Sequence, residues 1–395
     1  MTQQATNSSR RGFLAGAGGA AALALTPGLG RTARAAAPFK IGLFIPLSGP
    51  ASLFGATDKA CAQMAADEIN AAGGILGRQI ELLPTDAGVP PAEAAKSAVR
   101  LLLAEKVDVM VGSHDSAVRE ALESTVKGKV PYIYTPVYEG GACASNTYYL
   151  GETPTQQGRA LFDTVLKEHG AKTFYLVGDD YVWPREVNAQ LKKMIAAGGG
   201  SVTAEEYVPF GAANHFEEIV TRIKSAKPQV VLITLVGSDN VNFNRTFAGF
   251  GLHKSIMRAG FLLEENTLKG IGAESSANMY SAMGYFANVT TEANQKYKAA
   301  YAAKFGANAP QLGTIGVDSY AGIQCVKALV EKAGGTDPRK CMAASEGLRF
   351  KTASGSATLV GRRVNRDMYV AECKGTQVAI VSTLKDVKSG SLCAT

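Results

Sequence analysis

The amino-acid sequence predicts a mixed α/β protein with two parallel β-sheets, each covered by helices on both faces. Three observations carry this. From residue 39 onward, short apolar runs alternate with amphipathic stretches, a pattern that calls for parallel strands buried between helices. The series occurs twice in succession, which implies two sheets with separate cores. A chain of 395 residues with 46% hydrophobic and 19% charged side chains is also too long for one small domain and too apolar to remain unfolded.

In the first series the strands are read at residues 41–45, 80–83, 107–111 and 132–134, and each of the first three is followed by a helical pattern. The first helix shows the logic. Cys61, Met64, Ala65, Ile69 and Ala72 recur at three- and four-residue steps, with Lys59, Asp67 and Asn70 between them. Gly73-Gly74 stops it, since glycine adopts the left-handed cap conformation at no steric cost. The second series has strands at 173–177, 202–208, 230–235 and 256–262, with helices at 155–169, 184–197, 213–226 and 239–250. Pro228 ends the third of these helices and leads into the most apolar strand of that half. Residues 291–305 and 314–334 read as helices. The tail from 348 to 384 reads as short strands with turns at Gly355 and Lys374-Gly375, which add to existing sheets and form no third domain.

The first 35 residues read as an export signal. Arg10-Arg11 stands in Ser8-Ser9-Arg10-Arg11-Gly12-Phe13-Leu14, a weakly apolar stretch broken by Gly and Pro27 follows, and Ala33-Arg34-Ala35 offers a small-residue cleavage site before Ala36. This is the twin-arginine pattern, and it predicts an exported, periplasmic protein. The signal also distorts the charge. Arg10, Arg11, Arg31 and Arg34 supply four of the 41 basic residues behind the formal +7, so the rest of the chain is near balance and has no basic run to serve nucleic acid. All six cysteines follow the signal, in a chain bound for an oxidising compartment. Their wide spacing fits no zinc pattern. Six cysteines allow about 15 pairings, among which spacing does not choose; Cys373 and Cys393, both near the end in a region read as a strand hairpin, are the pair to test first.

The usual catalytic constellations are missing. The only glycine-rich stretch resembling a dinucleotide loop, Gly16-Ala17-Gly18-Gly19, lies in the signal and follows no strand, and there is no phosphate loop, nucleophile elbow or His-Glu-x-x-His. His114, His169, His215 and His253 stand one per segment, so no metal or other cofactor is expected. Cys143, near Glu139, has no histidine or lysine close in sequence to act as its base. Polar and aromatic residues gather instead at the carboxyl ends of predicted strands, where open parallel sheets place ligands. These segments are Pro46–Pro50, Gly112-Ser113-His114-Asp115-Ser116, Tyr134–Gly141, Gly178–Glu186 and Val236–Asn240. Ser113, Asp115 and Ser116 are equally well read as helix caps. Trp183, the only tryptophan, reads either as a core anchor or as the rim of a cleft.

At these residues a resemblance appears. Residues 39–361 resemble the type I periplasmic binding proteins that feed branched-chain amino acid and amide importers, with residues 73–82 similar to the family segment that joins the first helix to the second strand. Residues 134–140 and 180–186 are similar to the motifs of the urea and short-chain amide branch. Asp179 replaces a serine of that branch, and 364–367 lacks its histidine. The resemblance implies two Rossmann-like lobes in a Venus-flytrap arrangement joined by three crossings near residues 152, 286 and 350. The amino-terminal lobe would hold 36–152 with 287–349, and the carboxy-terminal lobe 153–286 with 350–395. It further implies that Ser116, Tyr134, Tyr138 and Tyr181 face the ligand, with Trp183 as a further aromatic wall and the loops at Gly237 and Glu264-Glu265 contributing. The function implied is that of a non-enzymatic receptor. It captures a small polar ligand by lobe closure, takes no cofactor and delivers the ligand to the permease subunits of an ABC importer. Tyrosine motifs suit urea or a short amide. An amino acid would need an acid for its ammonium group, for which Asp179, Asp180, Glu264 and Glu265 are the candidates. An exported hydrolase using Cys143 or Ser116, and a ligand sensor, are the competing classes.

Overall fold

The computed structural model describes residues 36–211 and 216–390. The expected export signal at residues 1–35, Cys393, His215 and the expected helix start at 213–215 lie outside the described residues. The first series folds as β1 (Phe39–Ile45), α1 (Gly55–Ala71), β2 (Ile80–Asp86), α2 (Pro91–Arg100), β3 (Val109–Gly112), α3 (Ser116–Val126), β4 (Tyr132–Tyr134) and β5 (Thr147–Tyr149). The second runs α4 (Pro154–Leu161), β6 (Thr173–Asp179), α5 (Val182–Ala197), β7 (Ser201–Val208), α6 (Glu217–Ala226), β8 (Val230–Thr234), α7 (Gly237–Gly249), β9 (Met257–Gly260), α8 (Glu265–Ile271) and β10 (Met279–Met283). The chain closes with α9 (Glu292–Phe305), α10 (Thr314–Ala333), α11 (Pro338–Ser345), β11 (Arg349–Thr352), β12 (Gly355–Val360), β13 (Arg363–Lys374) and β14 (Gln377–Val387).

The strand order is β2-β1-β3-β4-β5-β13-β10-β9-β8-β6-β7. β1 to β5 pair in parallel, as do β6 to β10, and β13 joins the two groups. Alternation along each strand explains why both faces are covered. In β1 and β3, Ile41, Leu43, Val109 and Val111 face α1 and α10, while Phe44 and Met110 face the opposite core with Val118 and Leu122 of α3. In the second lobe Leu176 and Leu232 pack with Val187 and Leu191 of α5, and Val177 and Ile233 pack with Val220 of α6 and Phe243 of α7. Each such side chain contributes about 1.5–3 kcal/mol on burial.

Three crossings join the lobes, at Gly151–Thr153, at Gly284–Phe286 and inside β13. The third is not near residue 350. β11 and β12 pair with each other and with the start of β13 on the first sheet, and from Arg366 onward β13 pairs with β14 and β10 on the second. The tail's short strands have no helical punctuation, so its hydrophobic pattern carries no sign of which sheet receives them. The first and third crossings are pinned together by α4. Thr153 and Gln156 form a reciprocal cap at its start, and Gln156 Nε2 donates to the carbonyls of Val364 (3.0 Å) and Val387 (2.9 Å). Cys373 is a free buried thiol and Cys143 is disulfide-bonded, so the expected Cys373–Cys393 pair does not form.

Candidate ligand site between the lobes

The carboxyl ends of β1, β3 and β4 face those of β6, β8 and β9 across a closed cleft. Between them lies a small cavity of ≈ 40 Å³. Ala51 and Phe54 after β1, Ser113 to Ser116 after β3, and Pro136 and Val137 after β4 line one side. Tyr181 and Trp183 after β6, Val236 after β8 and Leu262 after β9 line the other, with Ile315 of α10. The lobes touch directly here. Gln190 Nε2 of α5 donates to the Glu139 carbonyl at 2.7 Å, and the Ser238 N–H donates to the Pro50 carbonyl at 2.9 Å.

Asp115 caps α3, its Oδ1 accepting from the Val118 N–H at 2.9 Å. Ser116 follows at the first helical position, and its hydroxyl is fully committed: Oγ donates to Glu139 Oε2 (2.8 Å) and accepts from Arg119 Nη1 (3.2 Å). Arg119 is almost wholly buried, pairs with Glu139 Oε1 at 2.7 Å, and lies 5.4 Å from the centre of the Tyr134 ring. Tyr134 in turn donates to the His114 carbonyl at 2.6 Å. The His114 imidazole bridges Tyr132 Oη (2.8 Å, at Nε2) and the Asp115 carbonyl (3.0 Å, at Nδ1). A carbonyl can only accept, so Nδ1 carries the proton. Burial pushes the His114 pKa down to about 4, so the ring is neutral. This wall is a buried network in which most polar atoms meet one another; Arg119 Nε is left over.

One polar group at the cavity has no such partner: Trp183 is 2% exposed and its Nε1 meets no acceptor. The Ser113 hydroxyl lies against the buried Asp58 carboxyl, which accepts from it. Tyr181 stands at the entrance of α5 in extended conformation, its ring 5.0 Å from Phe210 and 6.4 Å from Trp183.

The structure thus brings Ser116, Tyr134, Tyr181 and Trp183 to one cavity. Tyr138, Gly237 and Glu265 do not line it. Tyr138 is one layer deeper, stacked on Tyr149 (5.1 Å) with Arg363 beside its hydroxyl. Gly237 has φ +58°, and a Cβ there would come within 2.0 Å of the Pro50 carbonyl, so it serves the contact between lobes. Glu265 is buried at the second crossing, where Oε1 accepts from the Ala287 N–H at 2.6 Å; burial and then the Glu264 carboxyl raise its pKa. The other candidate acids are engaged elsewhere. Glu264 caps α8 at the Thr267 N–H (3.0 Å), Asp180 pairs with Arg185 (2.6 Å), and Asp179 accepts from the Val236 N–H (2.8 Å). Burial, and then Asp239 beside it, hold Asp179 well above the carboxylate range. Cys143 is disulfide-bonded and cannot act as a thiolate, and the Ser116 proton rests on a carboxylate already paired with arginine. Among the described residues no group of three acidic, histidine or cysteine side chains is placed to hold a metal. No sequence pattern signals Ile315, Leu262 or Phe54, which arrive as apolar walls from three separate elements.

The family model described as periplasmic binding protein matches residues 38–377. The chain belongs to that family. Among its relatives, Leu/Ile/Val-binding protein homolog 3 of Brucella melitensis is 25% identical, the match covering 84% of this chain and 89% of that protein. The Leu/Ile/Val-binding protein BraC3 of Rhizobium johnstonii is 26% identical over 82% and 87%. Two solved structures share the fold. The solute-binding protein of an ABC transporter from Rhodopseudomonas palustris BisB5, in complex with 3,4-dihydroxybenzoic acid, has a TM-score of 0.78 at 24% identity and covers 89% of this chain and 98% of its own. The leucine-binding protein LivK of Thermotoga maritima also has a TM-score of 0.78, at 20% identity, over 88% and 98%. The family's periplasmic location comes with membership. None of these four proteins is described as a binder of urea or an amide, and they do not support that narrower resemblance.

Proposed function

We propose that the protein is the solute-binding receptor of an ABC importer and that it captures a small carboxylate with an apolar body, an aliphatic amino acid of the leucine, isoleucine and valine type. The observation that carries this is the unpartnered Trp183 Nε1 in a cavity otherwise walled by Phe54, Val137, Val236, Leu262 and Ile315. A buried N–H donor without an acceptor is costly, and a ligand carboxylate satisfies it while its apolar part meets the walls. Urea has no apolar part to place there. The amino-acid ligands named for the relatives at 25–26% identity point the same way. Closure follows from contacts made to both lobes at once, since a ligand shifts the equilibrium only by its differential affinity for the closed form.

A benzoate-type acid is the second reading, and Asp115 favours it. This is the only acid lining the cavity; it already accepts from the Val118 N–H, and burial raises its pKa, so it is a weak partner for an ammonium group. The deciding experiment is a thermal-shift and calorimetric panel on residues 36–395 with leucine, isoleucine, valine, benzoate, 4-hydroxybenzoate, urea and acetamide. A ligand at about one hundred times its Kd adds ~2.7 kcal/mol. Saturable binding of the branched-chain amino acids supports the proposal, binding of the aromatic acids alone transfers it to the second reading, and binding of urea or acetamide alone refutes both. Recovery of the ligand unchanged separates a receptor from a hydrolase. Export by the twin-arginine route is part of the same proposal, and replacing Arg10-Arg11 by Lys-Lys should stop delivery to the periplasm.

A further inference from the structure

A second and larger cavity of ≈ 460 Å³ lies at the crossings and shares no lining residue with the cleft cavity. Its floor is a clamp of charged groups. Glu152 Oε1, at the first crossing, accepts from the Gly284 N–H of the second (2.5 Å) and from Arg366 Nη1 of the third (2.7 Å). Arg366 Nη2 donates to the Leu150 carbonyl at 2.5 Å. One arginine thus ties all three crossings, and Glu152 takes up its charge. Asp318 of α10 is left over. It lines the cavity and is 4% exposed, its Oδ1 stands 3.6 Å from Arg366 Nη1, and its Oδ2 has no partner.

The orphaned atoms here are all acceptors. Asp318 Oδ2 and Glu152 Oε2 lack partners, while no buried nitrogen of Arg366 does. What the floor lacks is therefore a donor. The cavity is also lined by the hydroxyls of Thr352, Ser354 and Thr358, which can accept, and by Ser356, whose hydroxyl accepts from Arg349 Nε at 2.8 Å. A divalent metal would need six or more oxygen ligands, whereas an ammonium group has three N–H donors that one carboxylate and two hydroxyls can meet. A volume of ≈ 460 Å³ is within the range of small-molecule sites.

We propose that this cavity is a second binding site, separate from the cleft, for a small primary-ammonium compound whose head group docks on Asp318 beside Arg366. The surrounding charges agree. Asp318 faces Arg366 and Glu152 at the crossings and Asp58 on α1, and at the rim Asp367 is paired with Lys385 and Asp386 with Lys388. Burial raises the Asp318 pKa, a shift that an ammonium group beside it opposes.

The test is a calorimetric titration of residues 36–395 with ethylammonium chloride against sodium chloride at matched ionic strength. Saturable binding is expected for the unaltered chain. Asp318→Asn should weaken it by about tenfold or more. Ser356→Trp, at an exposed rim position, should do the same by filling the mouth, and its binding of the cleft ligand should be unchanged, which separates failure here from failure of the cleft assignment. No saturable heat with ethylammonium, or a signal that persists in both variants, would overturn the proposal.

Discussion

At the scale of single residues, Trp183 sets the sharpest test. Its indole N–H has no partner in the closed protein, so Trp183→Phe removes a buried donor and should leave stability unchanged or slightly raised, whereas loss of a partnered donor costs about 1 kcal/mol. Ligand affinity should fall by roughly tenfold if the carboxylate takes that N–H. Calorimetry and thermal denaturation of the one variant read both quantities, and a loss of stability with intact affinity would contradict the assignment. His114 gives a pH prediction. Its pKa is about 4 when folded and near 6.5 when unfolded, so between those values the unfolded chain holds more protons. Stability from this group is present above pH 6.5, is lost as pH falls toward 4, and amounts to at most about 3 kcal/mol. The buried acids Asp58, Asp179 and Asp318, with raised pKa values, have the opposite slope and lose stability as pH rises. The informative quantity is thus the difference between the unaltered chain and His114→Gln, which should narrow steadily from pH 7 to pH 4 in denaturant titrations.

At the scale of elements, α5 joins the site to the closing motion. It brings Tyr181 and Trp183 to the cavity at one end, and two turns later Gln190 reaches the Glu139 carbonyl on the other lobe. Gln190→Ala should favour the open form and weaken every cleft ligand by a similar several-fold factor, leaving their rank order unchanged. A change in ligand preference would show that α5 contributes selectivity directly. The same scale shows what patterning can reveal. The long amphipathic helices and the apolar strands β1, β6 and β8 were legible because their periodicity survives in any tertiary setting. β5, three residues long after a turn-rich loop, is too short to have a period. The hand-over inside β13 depends on which neighbours pair with it, and no local residue signals that.

For the whole molecule, the proposed function requires two lobes that move as bodies about three crossings, and these crossings are held by Glu152, Arg366 and Gln156. Small-angle scattering of residues 36–395 should show a decrease in radius of gyration on adding a cleft ligand, with Trp183 fluorescence following the same saturation curve. An unchanged radius with full binding would mean that the lobes are already closed in solution.

Composition and periodicity alone determined the α/β class, the two-lobe organisation and the placing of candidate residues at strand carboxyl ends, because these follow from local rules of burial and chain geometry. Within those loops, resemblance to the family's motifs singled out Ser116, Tyr134, Tyr181 and Trp183. Tertiary structure alone decided that Ser116 serves an internal ion pair, that Tyr138 and Glu265 lie behind the wall, and that the Trp183 indole is left without a partner. Whether a polar atom is satisfied depends on atoms far away in sequence, such as Glu139 facing Arg119 or Ile315 arriving from α10, and only packing of the lobes brings those atoms together.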